Sequence, residues 1–302
     1  MPEAAAPRTV VVAGASGLIG GAVVDALRAA GDTVVRLVRR PAAAPDERTW
    51  DPGEGRLDPS VLEGVDGVVN VGGAGVGDHR WTTEYREEIL RSRLDGTALI
   101  AQTAAACDRP PRRILQASAS GFYGSRGEEV LDEDSAPGSG FLADVVRAWE
   151  AAADPARAAG VDVVHLRSGI VLTPRGGAVA KMLPLFRAGL GGRLGSGRQW
   201  WAWITLADEV RAVQHLLGST LTGPVNLTAP EPARNADVTR ALGHAVHRPT
   251  VLPVPAFALR AVLGGFAGDV LGSQRIVPTR LTGDGFSHRH PTIDDAAAWL
   301  VG

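Results

Sequence analysis

The stretch Thr9-Val10-Val11-Val12-Ala13-Gly14-Ala15-Ser16-Gly17-Leu18-Ile19-Gly20 decides how this chain is read. Its apolar β-branched run predicts a buried strand, which ends in the series Gly14-x-x-Gly17-x-x-Gly20. Apolar residues at helical spacing follow at once, from Leu18 through Ala22, Val23, Ala26 and Leu27 to Ala30. Strand, tight turn and helix in that order open a dinucleotide-binding βαβ unit. Gly14 allows the sharp turn, Gly17 lets backbone approach a pyrophosphate, and Gly20 lets helix and strand pack closely. Free N–H groups at the helix start, backed by the helix dipole, favour phosphate there. The plain alternative is an ordinary glycine-rich βα turn.

Outward from this turn the strand–helix alternation continues. A strand over 33–38 leads into Arg39-Arg40-Pro41. An acidic residue here would bond the adenine ribose hydroxyls of NAD, whereas arginine pairs with a 2′-phosphate. None occurs before Asp46, so Arg39 and Arg40 favour NADP over the alternative of two solvated arginines. A short strand is expected near 48–50 and a short helix from Asp58 to Gly64. The apolar run 67–71 predicts a buried strand entering Gly72-Gly73-Ala74-Gly75, a second loop free of bulky side chains at a strand end. A helix over 81–106 has Ile89, Leu94, Leu99 and Ile100 on its apolar side. A strand over 113–117 then delivers Ser118-Ala119-Ser120-Gly121-Phe122-Tyr123-Gly124 to the carboxyl edge of the sheet, where open α/β sheets bind ligands. The acidic loop 128–134 reads as a solvated face or lid, 141–159 as a helix and 161–166 as a buried strand.

Beyond residue 170 the alternation loosens. A helix over 177–190 carries Lys181, the chain's single lysine, and Trp200, Trp201 and Trp203 precede a helix over 206–217. A strand over 224–227 follows, and Asn235 is placed to cap a helix reaching Val246. The tail holds an apolar helix near 256–263 and a last helix capped by Thr292.

Composition narrows the function classes. The chain has 302 residues, 45% of them hydrophobic, and a net charge of -2, which gives no reason to expect a polyanion partner. Its one cysteine, Cys107, excludes an intrachain disulfide and reads as a small buried hydrophobe on a helix. The seven histidines are scattered without partners, so no metal site is expected. The tryptophan cluster lacks a basic stripe and reads as core or lid packing, not as a nucleic-acid platform. Residues 1–8 are too short and without net side-chain charge for a leader, and the apolar window 251–271 is broken by Pro253, Pro255, Arg260 and Asp269. These features predict a cytoplasmic protein with no membrane partner, a monomer or homodimer acting on a small molecule.

The motifs resemble the extended and atypical short-chain dehydrogenases/reductases, the group of nucleotide-sugar epimerases and dehydratases. Within it they are similar to an epimerase-like family with a small C-terminal domain of unknown function. The resemblance rests on Gly14–Gly20, Asn70-Val-Gly-Gly73, Ser92-Arg93 with Gly96-Thr97, the 118–124 motif, Trp149-Glu150, 195–200, Trp203-Ile204 and 224–232, and it spans nearly the whole chain. It implies an α/β fold, a Rossmann-type doubly wound parallel sheet with a smaller C-terminal α/β substrate lobe. Residues 9–170, with 205–228 returning to the sheet, would form the NADP-binding domain. Residues 171–204 and 229–302 would form the lobe, with 248–297 as the family-specific C-terminal domain. It further implies NADP(H) held by Gly14, Ser16, Gly17, Leu18, Ile19, Arg39, Arg40, Gly72, Gly73, Ala74, Arg93, Ala117 and Ser118.

The same resemblance exposes a departure. The superfamily uses a tyrosine and a lysine four residues apart on the helix after the serine strand, where the ammonium lowers the phenol pKa for proton transfer. Here that helix, from Phe141 to Glu150, has neither residue, and Arg147 is no substitute because it does not titrate. Ser118 matches the superfamily serine. Tyr123 is either a relocated acid or a packed tyrosine. Asp144 and Glu150 read as surface or capping residues. Arg93 stands where extended members carry asparagine, and would either face an anion or form a salt bridge. The chain thus reads as an NADP(H)-dependent oxidoreductase or epimerase, or as a catalytically silent NADP(H)-binding sensor.

Overall fold

A computed structural model describes residues 6–302. Of the leader segment considered above, residues 1–5 lie outside this range. Seven strands form the central sheet: β1 (Thr9–Ala13), β2 (Thr33–Val38), β3 (Glu47–Thr49), β4 (Gly67–Asn70), β5 (Arg113–Ala119), β6 (Asp162–Ser168) and β7 (Gly223–Leu227). Their spatial order is β7-β6-β5-β4-β1-β2-β3, and every neighbouring pair is parallel. The order reverses between β1 and β4, which is the switch point where doubly wound sheets take ligands. Ala13 is level with Asn70, so the turn after β1 and the loop after β4 leave the sheet side by side.

Side-chain alternation along the strands builds a core on each face. Val10 and Val12 join Val24, Leu27, Leu115 and Val213 on one face, under helices α1 (Leu18–Ala29) and Leu206–Gly218. Val11 and Ala13 join Val68, Ile100, Ile114 and Val163 on the other, under α2 (Thr83–Ala105) and the short helix Asp154–Ala158. Helix α3 (Phe141–Ala151) packs beside α2, where the Trp149 indole N–H donates to Thr97 Oγ1. A third core, with Phe186, Trp201, Trp203, Leu242 and Leu300, lies among helices Gly177–Arg187, Asn235–Ala245 and Ile293–Val301.

Several expectations change. The segment after Asp58 is only a three-residue 3-10 turn, and the helix expected over 141–159 breaks between Ala151 and Asp154, ahead of Pro155. Leu94 is half-buried, and Cys107 is half-buried just past the end of α2. Asn235 is not a cap: Arg234 holds that position, and the Asn235 amide oxygen accepts the Leu194 N–H instead. The acidic loop is not wholly solvated. Val130–Leu131 pairs with Arg275–Ile276, and Glu133 is buried, accepting the N–H groups of Asn226 and Arg280. Thr292 does cap the last helix, in a reciprocal capping box with Asp295. Among the described residues no helix is long and apolar enough to cross a membrane.

The tail is fixed to the sheet layer by Asp208. Its carboxylate accepts the N–H of Arg289 at 2.8 Å and of His290 at 2.9 Å, and pairs with Arg211. Burial works to raise the Asp208 carboxyl, but these N–H groups and Arg211 outweigh it and hold it below the usual 3.8. A lowered carboxyl stabilises the fold above the unfolded value and stops doing so as pH falls through the folded one. Asp208→Ala is therefore expected to cost about 2–4 kcal/mol at neutral pH. Urea unfolding should show the gap between the two proteins closing below about pH 4.

Candidate functional site

The switch point is shaped by the absence of side chains. Gly14 has φ +78°, and a β-carbon there would lie 2.7 Å from the Gly72 nitrogen. A β-carbon on Gly20 would lie 2.1 Å from the Gly14 carbonyl oxygen, so α1 approaches the turn only because that atom is missing. Gly17 is the N-cap of α1 and supplies no side-chain cap; the first helical bond runs from Gly21 N–H to Gly17 O. The N–H groups ahead of Gly21 have no helical acceptors. Ser16 and Gly17 are exposed, while Leu18 and Ile19 are half-buried. Leu18 Cδ1 lies 3.2 Å from a β-carbon placed on Gly176, so the start of helix Gly177–Arg187 stands against the turn.

At the end of β2 the two arginines differ. Arg40 forms a bidentate pair with the buried Glu47, at 2.7 and 2.8 Å. Arg39 is exposed and has no hydrogen bond or ion pair among the described residues. It borders a hollow of about 610 Å³ with Arg40, Trp50 and Arg56.

The loop after β4 is organised from beneath. Asn70 is buried; its amide donates to Gln116 at 3.0 Å, and its oxygen accepts the Gly72 N–H at 3.4 Å. Gly73 passes over Arg93, whose guanidinium donates to the carbonyls of Ala74 (3.0 Å) and Ile89 (2.9 Å) and lies 4.9 Å from the Trp149 ring centroid. Arg93 pairs with no carboxylate among the described residues, so the salt-bridge alternative is not what is seen. Burial lowers it to about 10.

At the end of β5, Ala117 is half-buried and Ser118 is 5% exposed. Ser118 Oγ donates to Glu150 Oε1 at 2.6 Å, and Arg167 forms a two-pronged pair with the same carboxylate at 2.8 and 2.9 Å. Burial works to raise the Glu150 carboxyl, but the bonds and charge of Arg167, aided by Ser118, hold it below the ordinary range. Arg167 also donates to the Tyr123 hydroxyl at 3.0 Å, and that hydroxyl donates to Asn226 Oδ1 at 2.7 Å. Tyr123 is fully buried, and burial pushes its phenol up despite these bonds. With both bonds internal, it stands as a packed tyrosine rather than a relocated acid. Asp144 is exposed and pairs with Arg147, as read, but Glu150 is not a surface residue. It falls four residues after buried Val146, and that spacing is the signal that identifies it. Arg167 is announced only by being a charge in an apolar strand.

Taken together, these elements define a Rossmann-type architecture with a side-chain-free cradle at its switch point. The residues fit a dinucleotide: β-carbons at Gly14 and Gly20 would collide with the turn, α1 opens without a capping side chain, and Arg93 offers an unpaired positive charge. The chain belongs to the NAD dependent epimerase/dehydratase family, whose model matches residues 10–227. Residues 254–300 match a domain of unknown function, DUF1731. "Epimerase family protein Mb2239" of Mycobacterium bovis is 45% identical over 97% of each chain. The crystal structure of human epimerase family protein SDR39U1 (isoform 2) with NADPH superposes with a TM-score of 0.88 at 32% identity, covering 97% of this chain and 99% of that one. A nucleoside-diphosphate sugar epimerase from Corynebacterium glutamicum gives a TM-score of 0.80 at 32% identity, over 98% of this chain and 59% of that one.

Removing one partner of the Glu150–Arg167 pair strands a buried charge. Arg167→Met is expected to lower stability by about 3–5 kcal/mol, measured by chemical denaturation.

Proposed function

We propose that this chain binds NADP(H) and is an oxidoreductase of the epimerase type, acting on a hydroxyl or carbonyl carbon of a small, nucleotide-sugar-like molecule. The observation that carries the reading is the uncapped α1 start facing the Gly72 loop, with Arg39 free at the end of β2. The human relative crystallised with NADPH supports the choice of cofactor. The first turn, from Gly14 through Ser16, Gly17, Leu18 and Ile19, would hold the pyrophosphate, and Gly72, Gly73 and Ala74 would leave it room. Arg39 would pair with the 2′-phosphate, with Arg40 as a neighbouring charge already shared with Glu47. Arg93, Ala117 and Ser118 would border the other half. Residues 9–170 with 205–228 would act as the cofactor unit, and 171–204 with 229–302, including 248–297, as the substrate lobe.

The cofactor supplies hydride transfer when bound. The chain's own contribution at the reacting end is Ser118. Because Ser118 donates its hydrogen bond to Glu150, its oxygen would be left with lone pairs to accept one from a substrate hydroxyl. Arg167 keeps Glu150 ionised and Ser118 oriented. A second reading, a catalytically silent NADP(H) sensor, is favoured by one observation: Tyr123 is sealed and the tyrosine–lysine pair is missing. In either case we place the protein in the cytoplasm, as a monomer or homodimer without a nucleic-acid or membrane partner.

Calorimetric titration separates the two arginines. Arg39→Ala should weaken NADP(H) about tenfold or more and leave NAD(H) nearly unchanged, a loss matching one charge-assisted contact of about 1.5–3 kcal/mol. Arg40→Ala should change the NADP/NAD ratio less. An unchanged ratio in Arg39→Ala would remove the basis for NADP preference.

A further inference from the structure

Glu209 lies on the opposite face of the sheet from Glu150, in the first turn of helix Leu206–Gly218. It is 1% exposed. Ser168 Oγ donates to Oε1 at 2.6 Å, and Oε2 has no hydrogen-bond partner. The charged groups on the elements around it are engaged or turned away. On α1, Asp25 and Arg28 are exposed. On its own helix, Asp208 and Arg211 pair with each other and His215 pairs with Asp284. On β5, Arg113 pairs with Asp162 of β6; His165 and Arg167 of β6 lie on the Glu150 side, where Arg167 is paired. In the tail, His288 bonds the Thr228 carbonyl and His290 the Thr205 hydroxyl. Arg175 and Lys181 are exposed. No cation among the described residues pairs with Glu209. A carboxyl buried without a counter-charge keeps its proton, and burial pushes this one up to about 7 against the pull of Ser168.

Its place in the sheet gives this isolated acid a role. Ser168 ends β6, level with Ala119 of β5, and is half-buried at the carboxyl edge. It stands one strand over from Ser118. In a doubly wound sheet the adenosine half of a dinucleotide lies on the β1–β3 side, where Arg39 stands, and the nicotinamide half crosses to β4–β6. We infer that Glu209, through Ser168, gives up its proton to solvent when the oxidised, cationic nicotinamide binds and keeps it when the neutral, reduced form binds. The inference rests on the NADP(H) reading above. The arriving ring charge is the counter-charge that Glu209 lacks. The step balances as protonated enzyme plus oxidised cofactor giving the carboxylate complex plus one released proton; no electrons move. Affinity for the oxidised form then rises with pH, while affinity for the reduced form does not share that rise. The couple makes the balance between the two redox forms depend on pH.

The test titrates the full chain with NADP+ and with NADPH by calorimetry, from about pH 5.5 to about pH 8.5, in two buffers of different ionisation heat. The 2′-phosphate is common to both ligands, so its own titration cancels in the ratio of dissociation constants. That ratio should shift up to about tenfold per pH unit below the Glu209 value, with more proton release on binding NADP+ than on binding NADPH. Glu209→Gln mimics the protonated acid in size and charge. It should bind both forms, with a flat ratio and equal proton release for the two. Ser168→Ala removes the bond that lowers Glu209 and should move the midpoint to higher pH. A ratio independent of pH in the natural chain, or a pH-dependent one in Glu209→Gln, overturns the inference while leaving the cofactor reading intact. Binding of neither form overturns the cofactor reading and this inference with it.

Discussion

Three backbones meet at Gly14, and the site depends on that meeting. The turn after β1, the start of α1 and the loop after β4 approach so closely that a β-carbon on Gly14 or Gly20 would sit under 3 Å from a neighbouring backbone atom. The contact sets the distance between β1 and β4 at the one place where the sheet order reverses. It also leaves the start of α1 bare. A side chain at any of these points would fill the space that a phosphate needs and satisfy the N–H groups that would bind it.

The carboxyl edge carries two serine–glutamate couples, one on each face of the sheet, and their electrostatics are opposite. Glu150 is matched by Arg167, which does not titrate, so that carboxylate is locked in its charged form. Glu209 has only a serine and is held near neutrality. Environments that push two like groups apart assign them different tasks. Glu150 orients Ser118, whereas Glu209 is the group able to exchange a proton near neutral pH. The loss of a tyrosine–lysine pair from α3 therefore does not leave the edge without a titrating group; it leaves it without one on that face.

The fold was legible because its signals are local. The apolar runs of β1 and β4 and the glycine spacing between β1 and α1 each fit within a dozen residues. The cradle was legible for the same reason. Arg39 and Arg40 were read alike because nothing adjacent in sequence marks the Glu47 pairing that separates them. The Ser118–Glu150–Arg167–Tyr123–Asn226 chain was not legible, since its members come from five elements spread from residue 118 to residue 226. The acidic loop misled for a related reason: Glu133 is buried by partners more than 90 residues away, at Asn226 and Arg280.

That long reach also bears on why substrate identity is not carried by the nucleotide motifs. The C-terminal segment is held to the sheet by two buried carboxylates. Asp208 grips the backbone at Arg289 and His290, and Glu133 grips it at Arg280. Asn226, at the end of β7, donates to Val277 while accepting from Tyr123, so the same amide touches both the tail and the network behind Ser118. The C-terminal segment is thus positioned by hydrogen bonds to main-chain atoms, which specify a location but not a side-chain lining. Anchors of this kind and a side-chain-free cradle are compatible with many linings, so fold and cofactor site leave the choice of substrate to residues that neither one dictates.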